Sequence, residues 1–191
     1  MERWASWVSI VKFITPRIGG MTNGDCERCY VRPMSIRIRP ATALDATAVA
    51  DVHRTSWEDT YRGLLPDDVI ARHTISMDGV WMACLADPGP TTTWVATHDD
   101  DVVGFILVEA MGPGHPAPLR VGGLYLRPEV KRRGYGTALL EYAIADVPAY
   151  TEVAVSNRGA MEFWERLGFK QTGAEFDEAF GADIATLVRE G

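Results

Sequence analysis

The sequence predicts an α/β domain: a mixed sheet with helices on its faces. Three observations carry this. From residue 35 onward, segments of period 2 alternate with segments of helical period. Two apolar runs in the middle of the chain are joined by a short polar turn, which makes them an antiparallel hairpin. The 191 residues, 47% hydrophobic and 24% charged, suffice for a complete core without metal or disulfide support.

Residues 1–34 lack this organisation and read as an N-terminal extension, either disordered or a docking arm, with the domain occupying 35–191. Trp4, Trp7, Val8, Ile10 and Val11 form a short apolar stretch that Lys12 interrupts and Pro16 follows, without the unbroken apolar run of a signal peptide. Ser35-Ile36-Arg37-Ile38-Arg39 then alternates as a first strand. Thr42 with Asp45 has capping-box form and opens a helix along which Leu44, Ala48, Val49 and Val52 recur. Pro66, Asp67 and Asp68 suit the first turn of a second helix, where the missing N–H does no harm and carboxylates meet the positive dipole end. A third helical stretch runs to about Leu85, and Cys84 within it reads as a small buried hydrophobe.

Thr93–Thr97 and Val102–Val108, joined by His98-Asp99-Asp100-Asp101, are the hairpin. Beyond a Gly/Pro-rich loop around His115 come a strand, Leu119–Leu126, and a helix from about Gly134 to Ala145. A strand from Tyr150 to Val155, a helix from about Arg158 to Leu167 and two strands around Glu175–Gly181 complete the chain.

Composition excludes several classes of function. Nineteen Lys and Arg against 26 Asp and Glu give a net charge of −7, which argues against nucleic acid or an anionic membrane as partner. No apolar run approaches the roughly 20 residues that cross a bilayer. Three cysteines are too few for a disulfide framework, and Cys26-x-x-Cys29 lacks the second ligand pair of a zinc site. No metal is expected, and the compartment reads as reducing and cytoplasmic.

The most informative segment is Leu124–Leu140. A strand ends at Pro128, and three cations, Lys131, Arg132 and Arg133, precede Gly134-Tyr135-Gly136-Thr137 at the start of an amphipathic helix. Glycines let successive N–H groups turn inward, and the helix end adds partial positive charge, so the turn suits a pyrophosphate. It is neither a P-loop nor a Rossmann turn, since Leu139 stands where the third Rossmann glycine belongs. About twenty residues on, Glu152–Phe169 reads as a strand, an Asn157 cap, a helix carrying Ala160, Phe163, Trp164 and Leu167 on one stripe, and a Gly168 stop.

Together these segments resemble the motifs of the GNAT superfamily of acetyl-CoA-dependent N-acetyltransferases. The first is similar to its strand, x-Pro, Arg/Gln-x-x-Gly-x-Gly/Ala pattern, and the second to Asn-x-x-Ala-x-x-Phe-Tyr-x-x-x-Gly-Phe. Ser56–Pro66 also resembles the first-helix signature of one bacterial branch. The likeness spans about residues 35–190. It implies a mostly antiparallel sheet of six to seven strands whose middle strands splay apart, and Gly122-Gly123 is compatible with the bulge that opens that gap.

The resemblance also implies site residues. The main chain of Leu124, Tyr125 and Leu126 would meet the acetyl and pantetheine parts of acetyl-CoA. The pyrophosphate would fall to Lys131, Arg132, Arg133, Gly134, Tyr135, Gly136 and Thr137, and the pantetheine arm to Asn157. Trp57, Glu58 and Tyr61 would wall the acceptor site. Glu152 is the expected base, with Glu58, Asp59 and His115 as alternatives. Trp164 replaces the tyrosine that many members use as acid, and an indole N–H cannot serve in that way; Tyr125 is the nearest substitute. The implied activity is acetyl transfer to a primary amine of a small molecule or peptide, with a homodimer compatible. The alternative is an acyl-CoA-binding module without turnover.

Overall fold

A computed structural model describes residues 36–191; the expectations for residues 1–34, the Cys26–Cys29 pair among them, lie outside the described residues. The strands are β1 (Ile36–Pro40), β2 (Thr91–His98), β3 (Asp101–Ala110), β4 (Leu119–Leu126), β5 (Ala149–Ala154), β6 (Lys170–Asp177) and β7 (Ala182–Arg189). The helices are α1 (Ala46–Tyr61), α2 (Asp67–Thr74), α3 (Met77–Ala86), α4 (Tyr135–Ile144) and α5 (Arg158–Arg166). Each element expected from the sequence in this range is present, with ends that differ by a few residues.

Local chemistry explains the sharpest turns. Asp45 stands where the chain enters α1, after a single 3-10 turn over Ala43–Asp45. Its carboxylate accepts hydrogen bonds from the Thr42 N–H at 2.8 Å and from both ends of the Arg39 guanidinium at 2.7 Å. The bond from Arg39 is the main reason its pKa falls to about 2. The β2–β3 hairpin turns on Asp99 and Asp100, with φ of 48° and 74°. Two successive left-handed residues make a turn whose twist matches the flanking strands. Cys84, expected to be buried, is a half-buried free thiol 3.9 Å from the Thr91 hydroxyl.

The seven strands form one sheet in the order β1-β2-β3-β4-β5-β7-β6. Every pair is antiparallel except β4–β5. Strand alternation sends successive residues to opposite faces. Phe105 and Val95 therefore join the core under α1 and α3, while Ile106 and Ala96 join the core under α4 and α5. The sheet is covered on both sides.

The feature that positions the site is the short β4–β5 pairing. These parallel strands are in register only from Leu119 opposite Ala149 to Val121 opposite Thr151. The Thr151 hydroxyl donates to the Val121 carbonyl at 3.0 Å at the end of the paired stretch, after which the strands separate. On the other edge of β4 the register slips: Val108 faces Val121 and Leu107 faces Gly123, so Gly122 is an extra, bulged residue. A Cβ on Gly123 would stand 2.8 Å from the Tyr125 ring, which folds back over it.

Candidate active site

The β4–α4 turn is built by its main chain. Gly134 caps α4 with φ +85°, and Arg132 is also left-handed at φ +62°. A Cβ placed on Gly134 would meet nothing within 4 Å, so open space lies directly over the helix N-terminus. Gly136 has a different role: a Cβ there would approach the Phe163 ring to 3.1 Å. Gly134 supplies conformation and access, and Gly136 lets α5 close against α4.

This turn opens into a cleft of about 790 Å³ that runs along the gap between β4 and β5. Leu124, Tyr125 and Leu126 line it, as do Lys131 and Arg132. So do Gly134, Gly136, Thr137 and Asn157. A glycine-softened helix N-terminus with flanking cations fits a pyrophosphate, and a strand edge without a partner fits the amides of a pantetheine arm. Arg133 and Tyr135 are not on its wall. The Tyr135 side chain is buried on the other side, where its hydroxyl meets Nδ1 of His98 at 3.0 Å. What Tyr135 offers an anion is its main-chain N–H in the first turn. Lys131 is paired with Asp59 of α1 at 2.7 Å. Asn157 caps α5, its Oδ1 accepting from the Ala160 N–H at 3.1 Å.

A second cavity of about 340 Å³ lies beyond the gap. One wall is a stripe of α1: His53, Trp57 and Tyr61, spaced four residues apart. The His73 ring stacks on Trp57 at 4.2 Å and 7°, with Phe180 close to both. Trp81 Nε1 donates to His53 Nδ1 at 3.1 Å, which leaves the proton of a neutral imidazole on Nε2. That Nε2–H and the Nε1–H of Trp57 are buried without a hydrogen-bond partner among the described residues. Unpaired buried donors are costly and concentrate where a fold serves something besides stability. Burial lowers the pKa of His53 to about 4, and the neighbouring His73 adds to the effect.

The two cavities share five wall residues: Tyr61, Gly122, Gly123, Tyr125 and Glu152. Glu152 projects from β5 at this junction. Arg120 of β4 donates to its Oε2 from Nε at 3.0 Å and from Nη2 at 2.6 Å. No hydrogen bond among the described residues engages Oε1. Tyr125 contacts the His53 ring at 4.5 Å. Trp164 lines the cleft but is 5% exposed, packed edge-on against Phe163 and Phe169. Glu58 lines neither cavity, and neither does His115, whose Nδ1 lies 3.4 Å from the Tyr150 hydroxyl.

A family profile described as the acetyltransferase (GNAT) family matches residues 49–169, from α1 to the start of β6. The chain belongs to the GNAT family. As a GNAT protein it is an acyltransferase enzyme. It is 27% identical over 154 residues to a probable N-acetyltransferase of Mycobacterium tuberculosis, covering 76% of this chain and 86% of that one. It is 28% identical over 129 residues to the peptidyl-lysine N-acetyltransferase YjaB of Escherichia coli, covering 66% and 67%. Among solved structures, the PaiA N-acetyltransferase of Thermoplasma acidophilum in complex with coenzyme A has the same fold, with a TM-score of 0.66 and 22% identity over 83% of this chain and all of that one. The apo form of YjaB matches with a TM-score of 0.61 and 23% identity over 83% and 99%.

The cavity also contains residues the sequence did not single out: His53, His73, Trp81, Arg120, Asp177 and Phe180. His53 was recognisable in principle, four residues before Trp57 on the same helical stripe. The others arrive from separate elements, and only the folded chain brings them together.

Proposed function

We propose that this GNAT protein transfers the acetyl group of acetyl-CoA to a primary amine of a small molecule or peptide, by direct attack of the amine on the thioester. The observation that carries this is the junction at the β4–β5 gap: a cleft with an anion-suited helix end meets a second, aromatic cavity there. The CoA-bound relative and the peptidyl-lysine relatives support the two halves of the reading.

The residues divide the work. Beyond Val121, β4 has no β5 partner, so main-chain N–H groups on that edge are available to the pantetheine amides and to negative charge developing on the carbonyl oxygen. The amine must arrive with a lone pair, although its free pKa is near 10. Glu152 stands at the junction with Oε1 unengaged, and it takes that proton directly or through water. Arg120 fixes the carboxylate by holding Oε2. The aromatic walls of the second cavity hold the apolar body of the amine and exclude water.

Trp164 favours a second reading, an acyl-CoA-binding module without turnover, because it offers no ionising group. The two separate in one assay. The purified chain is incubated with acetyl-CoA and a panel of alkylamines and lysine peptides while free thiol is followed. Amine-dependent thiol release is expected. A rise in melting temperature with acetyl-CoA, but no release with any amine, supports the binding module instead.

A further inference from the structure

Acetyl transfer leaves a thiolate, which takes a proton from a group in the cleft or from water. Of the described residues that line the cleft, only Tyr61 and Tyr125 carry a phenol. We propose that Tyr61, the last residue of α1, donates its phenolic proton to the departing sulfur of CoA; the proposal rests on the acetyl-transfer reading above.

Position is the first argument. Tyr61 is 9% exposed, packs on Trp57 at 4.4 Å, and lines both cavities. It therefore stands where the acyl group changes hands. Tyr61 shares the cofactor cleft with Asn157, a residue that lines only that cleft. Tyr125 instead faces the aromatic wall, against the rings of His53, Phe105 and Trp57.

Hydrogen-bond direction is the second argument. Oδ1 of Asn157 is committed to the Ala160 N–H. Its amide NH₂ makes no hydrogen bond to another described residue, so it is free to donate to the Tyr61 oxygen and leave the phenolic hydrogen for another partner. Asn157 thereby stabilises the phenolate and offsets part of the burial that raises the Tyr61 pKa. Tyr125 has no such offset: burial pushes it well up, and Tyr61 beside it adds to the effect. The titratable or charged groups on the walls of the two cavities are Tyr125, Arg120, Glu152, His53, His73 and Asp177, with Lys131, Arg132, Glu162 and Arg166 on the cofactor side.

The step balances. The amine nitrogen bonds to the carbonyl carbon, and the carbon–sulfur bond breaks with its electron pair on sulfur. The Tyr61 proton moves to that sulfur and gives the free thiol of CoA. The proton that Glu152 took from the amine restores the phenol through solvent.

The test needs no acceptor amine. CoA is bound to the full chain and its thiol is titrated by the ultraviolet absorbance of the thiolate. Tyr61→Phe keeps the ring and removes the donor, so the bound thiol should titrate about one pH unit or more higher than in the parent, as expected for loss of a hydrogen bond to a charged group. CoA affinity at neutral pH should stay within about threefold, as expected when the lost hydrogen bond is to a neutral thiol. A fluorinated tyrosine at position 61, with ring and hydroxyl both retained, should shift the titration downward. The proposal is overturned if Tyr61→Phe leaves the titration unmoved, or if Tyr125→Phe moves it instead. If CoA does not bind the parent at all, the acetyl-transfer reading itself has failed.

Discussion

Glu152 and His53 show two ways a side chain can be held at this site. Glu152 is fixed by Arg120 through one oxygen only, so Glu152→Gln preserves the shape and removes the proton acceptor. Its kcat should fall by roughly 10²-fold or more with acetyl-CoA affinity intact, measured by steady-state rates and calorimetry. Parental turnover would move the base to a water or another group. His53 is held neutral by burial, with a folded pKa of about 4 against 6.5 in the unfolded chain. Between those values the unfolded state binds more protons, so stability is complete above pH 6.5 and is lost as pH falls toward 4. The interval amounts to about 3 kcal/mol, and burial of His73 acts in the same direction. His53→Gln still accepts from Trp81 and does not titrate. Its melting temperature should decline less between pH 7 and pH 4.5 than that of the parent; parallel declines would mean that His53 is not the group responsible.

At the scale of elements, the β4–α4 turn and the β4–β5 gap carry the candidate site, and the sequence disclosed them unequally. The turn was legible because its chemistry is local: a proline-ended strand, cations, two glycines and an amphipathic run. Gly134→Val puts a β-branched side chain at φ +85° and into open space over the helix end. The fold should survive, and CoA binding by calorimetry should be mostly lost; binding at parental strength would displace the cradle from this turn. The gap was legible only through the resemblance, with Gly122-Gly123 as a compatible sign. Its cause, a parallel pairing that stops after three residue pairs, is a property of two strands some thirty residues apart. For the same reason the place of Arg120 beside Glu152 escaped the sequence, since cross-strand neighbours depend on register.

For the molecule as a whole, the alternation of strands and helices, the β2–β3 hairpin and the two-sided core follow from hydrophobic period and turn signals, whereas the strand order, with β7 between β5 and β6, does not. Nor does the second, aromatic cavity. Its walls come from α1, α2, α3, strands β3 to β7 and the β6–β7 turn, and no local pattern specifies how His73 and Phe180 converge on Trp57. The central claim is that these two cavities meet so that an acetyl group can pass between them. Isotopically labelled acetyl-CoA, incubated with the full chain and mixed alkylamines and lysine peptides, tests it most directly by mass spectrometry. The account predicts labelled acetyl amide, one for each CoA released, in an amount that Gly134→Val abolishes. Label that remains entirely in acetyl-CoA, on a chain that binds the cofactor, would contradict it.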